Sequence, residues 1–530
     1  MFKKTFLLFK IGRKLAKSGV INSISEIYNP PILIKFFFFI LGFSIKKEVQ
    51  KKNESSEQKL CSSLQEMGTT FIKLGQFLAT RPDIIGEKLA KDLEKLQDKL
   101  PPFGKTEASL ILKKEFGEKT FQNIHEFSEP IAAASIAQVH FAKIKSNGAE
   151  KEVAIKILRP SIQKIFNEEL DALMLLAYII ESIVKKTKRL RLVEIVYLLK
   201  EITNIEMDLR FEAAAANELY ENTKNDIGFV VPKIYWNFTT QKILTLDKIE
   251  GIPIRETEKL TKSGIDTKKI SKNLIQHFLR QAVRDGFFHA DMHQGNIFIN
   301  KNGDIVVVDF GIMGRLDKLN RRYLAEILYG FINRNYKKVA EVHFIAGLIS
   351  KKFSIDEFAQ SLRSIGEPIF GQSAKDISGG KLLKQLFDNT EKFNMQTQPQ
   401  LLLLQKTMVV VEGVARRLDP NTNIWDVSKP ILETWLKDTK DPLNKISEKI
   451  ENASEVLKRI PELPKIMDKA SEALTIVAGG KLSPNSASYY SLKEEELKMK
   501  LFRNNLISTF LVLVIFLLLV FNKQNELLKE

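Results

Sequence analysis

The sequence predicts an α+β chain of two lobes, with a helical extension in front of them and a transmembrane helix at the C-terminal end. Three observations carry that expectation. A strand-like stretch from Phe127 to Leu158, then two helices and two more strands ending at Ile249, gives way to a mostly helical chain after Gly251. One hairpin, at 296–309, interrupts the helical part. An apolar run, Leu506–Phe521, lies near the end. With 530 residues, the chain has room for one large two-lobed unit and its flanking segments. Hydrophobic content of 44% and charged content of 27% exclude wholesale disorder. Cys61 is the single cysteine, which excludes an intrachain disulfide scaffold and any zinc spacing of cysteines.

The elements follow in order. Segment 1–55 is basic and apolar. Residues 1–52 carry 11 Lys/Arg against two acids, so +9 of the net +17 sits there. Phe2, Phe6–Phe9 and Ile32–Phe43 lie among those charges, a mixture that suits an anionic membrane surface better than DNA. Lys10, Arg13 and Lys14 cut the first apolar run too short for a signal peptide. Residues 56–120 form the helical extension, with helical periodicity over 58–97 and a break at Pro82–Asp83. Residues 121–250 form the first lobe. Gln138–Ile144 alternates, Asn147-Gly148 signals a hairpin, and Val153–Leu158 is its second strand. Helices are expected at 162–185 and 192–224, then strands at Val230–Trp236 and Lys242–Ile249. Residues 251–440 form the helical second lobe, and 441–505 a helical and linker segment. The 506–521 run would span about 24 Å as a helix. Lys493, Lys498, Lys500 and Arg503 precede it, which places the bulk of the chain in the cytoplasm.

The hairpin carries the chemistry. His289-Ala290-Asp291-Met292-His293-Gln294-Gly295-Asn296 leads into it, and Asp309-Phe310-Gly311 leaves it. If Asn302-Gly303 is a two-residue loop, Lys301 faces Asp304 and Asn296 falls opposite Asp309. An amide oxygen and a carboxylate so placed can bind one hard cation. Asp291 sits in the entering loop, where catalytic groups are commonly carried.

Protein kinases use this set: a loop Asp that orients the nucleophile, then an Asn and the Asp of Asp-Phe-Gly that bind Mg²⁺. Val153-Ala154-Ile155-Lys156 matches their strand-lysine motif. Where kinases carry a G-x-G-x-x-G-x-V loop, this chain reads Ala132-Ala133-Ala134-Ser135-Ile136-Ala137-Gln138-Val139. All three glycine positions are alanine, so the loop must approach phosphate differently. The reading is a bilobal protein-kinase-like fold that binds ATP and Mg²⁺, with Asp291 catalytic and Asn296 and Asp309 on the metal. A rival reading groups His289, Asp291 and His293 as a metallohydrolase centre, but the other histidines are scattered. Basic charge without interleaved aromatics gives no stacking platform for nucleic acid.

With these motifs the chain resembles the UbiB family of atypical kinase-like proteins, also called ABC-one or aarF-domain kinases, from about Leu64 to about Asn421. Phe71-Ile72-Lys73-Leu74-Gly75-Gln76 matches its Lys-x-Gly-Gln motif, and Leu96–Phe103 its next block. The alanine-rich loop is its hallmark. Glu206-Met207-Asp208 matches Glu-x-Asp, with Glu212 and Asn217 in register, and Arg417–Pro420 matches a late block. Met292 and Gln294 stand where the family usually has prolines, and Thr69 where one is common. The resemblance implies that Lys156 contacts the α/β-phosphates and pairs with Glu206. It also implies that the extension covers the peptide site as a lid, and Asp208 is expected to meet Lys73 and Gln76 there. It further implies a role in ubiquinone biosynthesis at the bacterial inner membrane, with polyprenyl-phenol lipids or biosynthetic enzymes as partners. A nucleotide-gated scaffold without phosphotransfer is the alternative.

Overall fold

The computed structural model of the chain describes residues 56–79, 85, 87–93, 96, 100–146, 148–183, 191–350, 352–370, 393, 395 and 399–439. The expected basic segment 1–55, the break at Pro82–Asp83, the linker 441–505 and the apolar run 506–521 lie outside them. Among the described residues no helix is long and apolar enough to cross a membrane.

Three helices open the described chain: α1 (Ser56–Met67), α2 (Thr69–Ala79) and α3 (Glu87–Leu93). Gly68, at φ +101°, separates the first two in a conformation that only glycine adopts at low cost. Helix α4 (Lys105–Phe121) follows.

A five-stranded antiparallel sheet comes next. It contains β1 (Ile124–His125), β2 (Pro130–Ala133), β3 (Ala137–Ser146), β4 (Ala149–Leu158) and β6 (Ile243–Asp247), in the order β1-β3-β4-β6 with β2 also on β3. Ser146 pairs with Ala149, so the β3–β4 loop has the two residues the sequence predicts. Strand period does the sorting. Val153, Ile155 and Ile157 point into a core with Ala142, Ile144, Ile243 and Phe238, which α4 covers with Ala108 and Leu112. Lys156, lying between two of those core residues, must face the other way.

The helical stretch expected at 192–224 is two helices. Helix α5 (Ile162–Ile183) precedes them, then come α6 (Leu192–Glu206) and α7 (Leu209–Thr223). The break falls at Met207–Asp208. Asp208 is the N-cap of α7, and its carboxylate accepts from the Arg210 amide at 3.1 Å. A short acceptor side chain competes for amides that a continuous helix would bond to its own carbonyls.

The strand expected at Val230–Trp236 is also corrected. Only β5 (Phe229–Val230) forms, and it pairs in parallel with β10 (Ile305–Val307) in a second sheet. Pro232 has no amide to give to a ladder, and the chain turns into a 3₁₀ segment at Trp236–Phe238.

Beyond β7 (Ile252–Pro253) the chain is mainly helical: α8 (Thr257–Lys262), α9 (Thr267–Leu279), α10 (Lys318–Ile332), α11 (Tyr336–Ile345), α12 (Ile355–Phe370), α13 (Pro399–Leu418) and α14 (Ile424–Thr439). The hairpin β9 (Ile297–Ile299) and β10 (Ile305–Val307) is set into it, in a four-stranded sheet ordered β5-β10-β9-β7. A two-stranded sheet, β8 (Phe287–His289) with β11 (Met313–Arg315), flanks it and was not expected.

Gly314 faces Phe288 across that pair, and a Cβ on it would lie 2.1 Å from the ring of the fully buried Phe288. Gly314→Ala should lower stability by about 1–3 kcal/mol in denaturant unfolding. An unchanged midpoint would mean that the ring can swing aside.

Candidate active site

The hairpin register decides how the acidic and amide groups meet. Ile305 pairs with Ile299, Val306 with Phe298, and Val307 with Ile297. The loop is therefore Lys301–Gly303, three residues rather than two, closed by Gly303 at φ +83°. Asn300 holds it, because its Oδ1 accepts from the amides of Asn302 and Asp304, each at 2.9 Å. The expected opposition of Asn296 and Asp309 is corrected by one residue. Asn296 lies opposite Val308, whose amide donates to the Asn296 carbonyl at 3.0 Å. Asp309 follows with a left-handed backbone, φ +62°, which is rare for a side-chain-bearing residue. Phe310 then goes into the core while the Asp309 side chain stays half exposed.

That turn brings Asp309 to Lys156. The Lys156 ammonium donates to Asp309 Oδ1 at 3.2 Å and to both oxygens of Glu212, at 2.8 and 2.9 Å. The lysine partner expected from the resemblance, Glu206, is corrected. Glu206 ends α6 and forms an ion pair with Lys73 of α2 at 3.0 Å, while Glu212, one turn into α7, takes Lys156. Asp208 does not meet Lys73 or Gln76, since its carboxylate is spent on the Arg210 amide and guanidinium, the latter at 2.7 and 2.9 Å. The Gln76 side chain makes no hydrogen bond among the described residues. The helix break explains all three outcomes: it separates Glu206 from Asp208 and starts a new face with Glu212 on it.

Charge is shared unevenly. Burial alone would lower the Lys156 ammonium, but Asp309 and Glu212 outweigh it and push the group above the usual lysine range. Lys156 first, then its hydrogen bond, draws Asp309 down to about 2 against the opposing cost of burial; Lys73 adds to the effect. Solvent reaches half of the Asp309 side chain and screens part of this. Burial pushes Glu212 up, with the Lys156 charge pulling the other way.

Asp291 is placed by its neighbours. Its amide donates to His289 Nδ1 at 3.1 Å, while His289 Nε2 donates to the Val308 carbonyl at 3.1 Å. His289 is fully buried, and burial lowers its pKa, so it is a neutral post between the two chain segments of the site. The Gln281 side chain accepts the His289 amide at 3.1 Å, and the Thr407 hydroxyl of α13 reaches the Ala290 carbonyl at 3.0 Å. Asn296 Nδ2 donates to the Asp291 carbonyl at 3.1 Å and to Oδ2 at 3.2 Å. Both bonds use the amide nitrogen, which leaves Asn296 Oδ1 as a candidate donor to a cation.

The metallohydrolase reading fails. Both His289 nitrogens are engaged, and His293 Nδ1 accepts the Gly295 amide at 2.9 Å. Among the described residues no three His, Cys, Asp or Glu side chains gather to hold a metal. Asn296 Oδ1 and the Asp309 carboxylate are nevertheless hard oxygens of the kind Mg²⁺ takes, an ion that completes its shell with water and phosphate.

The alanine-rich loop ends β2 and begins β3. Ala132 is exposed, Ala133, Ala134 and Val139 are half-buried, and Ser135, Ile136, Ala137 and Gln138 are buried. Gln138 is corrected as a cofactor contact. Its side chain bonds the amide and carbonyl of Phe103, at 2.9 and 3.1 Å, and Nε2 also lies 2.9 Å from His140. The Thr69 hydroxyl at the start of α2 donates to the Ser135 carbonyl at 3.4 Å, so the extension touches the loop directly. Sequence reasoning noted Glu212 without giving it a role. Asp208 as a helix cap was the signal, because a new helix starting there puts a Glu in its first turn.

Comparison with known proteins agrees with the fold. The model of the ABC1 atypical kinase-like domain matches residues 95–343, and that of the UbiB helical domain matches 362–423. A Marinobacter nauticus protein named "Probable protein kinase UbiB" is 35% identical over 474 residues, 88% of this chain and 85% of that one. A Pasteurella multocida protein of the same name is 38% identical over 82% of each chain. A solved complex of a Mycobacterium tuberculosis protein with erythromycin is 24% identical over 70% of this chain and 94% of that chain, at a TM-score of 0.45.

Glu212→Ala would leave Lys156 with Asp309 alone in a largely buried place, and should cost about 3 kcal/mol in urea unfolding. Glu206→Gln keeps an oxygen that can accept from Lys73 and leaves the Lys156 cluster intact, so it should cost clearly less than Glu212→Ala. Equal losses would contradict the assignment of Glu212 as the lysine's main partner.

Proposed function

The chain belongs to the UbiB family of ABC1 atypical kinase-like proteins, and from that premise we propose that it is a membrane-associated, Mg-ATP-dependent ATPase or phosphotransferase supporting ubiquinone biosynthesis. One observation carries the reading: a single lysine shared by two carboxylates, beside an Asp–Asn pair on a rigid hairpin. Two carboxylates and one ammonium leave the cluster one negative charge in excess. A dication fits that excess, and the lysine fits a phosphate chain once it parts from Asp309.

Asp309 and Asn296 would hold the ion, which supplies charge neutralisation for the phosphates. Glu212 keeps Lys156 extended toward the α/β-phosphates whether or not Asp309 is in contact. Asp291 orients the attacking hydroxyl or water, and the Asn296 amide fixes its carboxylate. Lys73 and Glu206 pin the extension to the end of α6, and Thr69 brings it against the alanine loop. This arrangement favours water or a small or lipid hydroxyl over a protein acceptor. Lys73 and Gln76 are proposed as lid residues, with Glu206 in the place first given to Asp208.

The membrane part of the proposal rests on the sequence. Segment 1–55 would contact an anionic surface, and 506–521 would anchor the chain in the inner membrane with its bulk cytoplasmic. Polyprenyl-phenol intermediates or ubiquinone-biosynthesis enzymes would be met there, and nucleic acid has no part.

Two experiments test this. ATP turnover and the destination of the phosphate are followed with and without anionic liposomes carrying a polyprenyl-phenol. Asp309→Asn should cut turnover by about a hundred-fold or more. Full activity in that variant would overturn the metal assignment. Release of all phosphate to water would favour the nucleotide-gated scaffold over a transferase. Ending the chain at residue 503 should move it from the membrane fraction to the soluble one on cell fractionation. Retention in the membrane would shift the anchor to segment 1–55.

A further inference from the structure

Every carbonyl of the turn Ala134–Ala137 is taken. Ala137 O accepts from the Ala134 amide at 2.8 Å, and Ser135 O from the Thr69 hydroxyl at 3.4 Å. The other two are held by one residue. The Arg159 amide donates to Ile136 O at 2.8 Å, and its guanidinium donates to Ala134 O through Nε at 3.1 Å and Nη2 at 2.9 Å. The same guanidinium reaches Pro101 O at 2.9 Å and Leu100 O at 3.3 Å, and lies 6.0 Å from the Phe103 ring centre. Arg159 stands one residue past the end of β4, three residues after Lys156.

We propose that Arg159 is a positioning residue of the nucleotide site, which holds the alanine-rich loop with its carbonyls turned away from the phosphates and fastens it to the segment Leu100–Phe103. This rests on the nucleotide-binding reading above. The physical need comes from the alanines. A glycine loop can turn its peptide planes to offer amides to an anion at little cost, whereas alanines cannot do so freely. A carbonyl facing a phosphate is repulsive, so the loop's carbonyls must be engaged elsewhere. A guanidinium suits that task because it donates in several fixed directions in one plane, while a lysine has a single nitrogen at the end of a flexible stem. The segment it binds belongs to the helical extension, between α3 and α4, and Gln138 grips the same segment at Phe103. The extension is therefore tied to the loop at Thr69 and through Leu100–Phe103.

The test uses the full-length chain and Arg159→Lys, which keeps the charge and most of the stem. Amide exchange over 131–139 is measured without nucleotide, and Mg-ATP binding by calorimetry. The variant should exchange at least ten-fold faster over 131–139, with β4 and β6 as protected as before, and bind Mg-ATP at least ten-fold more weakly. Unchanged loop exchange would overturn the proposal. So would faster exchange spread evenly over the whole sheet, which marks a general loss of stability. Faster loop exchange with unchanged affinity would overturn the nucleotide role. If the unaltered chain itself binds no Mg-ATP, the functional reading above fails, and with it the nucleotide role of Arg159. The loop exchange still decides whether Arg159 is the clamp.

Discussion

One ammonium shared by two carboxylates organises this molecule. Lys156 is largely buried, and a buried cation is tolerated only where opposite charge and hydrogen bonds replace its water. Each partner imposes a demand on the chain that supplies it. The sheet must alternate so that Ile155 and Ile157 go into the core while Lys156 does not. Helix α7 must begin at Asp208 so that Glu212 comes within reach. The hairpin must end in an unusual backbone so that Asp309 turns back toward β4. The cluster thus ties the sheet to the hairpin of the helical part, across 153 residues of sequence.

Much of this was legible in the sequence, and the failures have physical causes. The β3–β4 pairing was readable because Asn147-Gly148 favours one loop length and the flanking residues alternate. The 296–309 hairpin was readable in place but not in register. Asn302-Gly303 looks like a two-residue turn, yet Asn300 captures two loop amides and makes the loop three residues long. The resemblance implies Glu206 as the lysine's partner, and the smooth periodicity through 192–224 shows no sign of the break that hands the role to Glu212. The break comes from a capping carboxylate, which leaves no mark on hydrophobic spacing. Gln138 looked like a loop residue open to ligand, but burial and the backbone of Phe103 claim it. Arg159 could not have been singled out, since its role is to bond carbonyls far away in the chain.

The helical extension is fastened to the kinase-like part by polar contacts, namely Lys73 with Glu206 and Thr69 with Ser135. Such contacts are directional, and each contributes modestly. They fix where the extension lies. The Leu100–Phe103 segment adds the carbonyls of Leu100, Pro101 and Phe103 as anchor points. The extension and the alanine loop therefore share one hydrogen-bond network, and a displacement of either is felt by the other.

The backbone at Asp309 has a consequence for how this position can change over time. A left-handed conformation admits Gly, Asn and Asp at low cost and penalises the rest. The proposed cation would need an oxygen, which glycine lacks. The two requirements together leave Asp and Asn, and only Asp brings the charge that balances Lys156. Glutamate carries the same charge but cannot take the turn cheaply. The position has no neutral neighbours through which a lineage could drift.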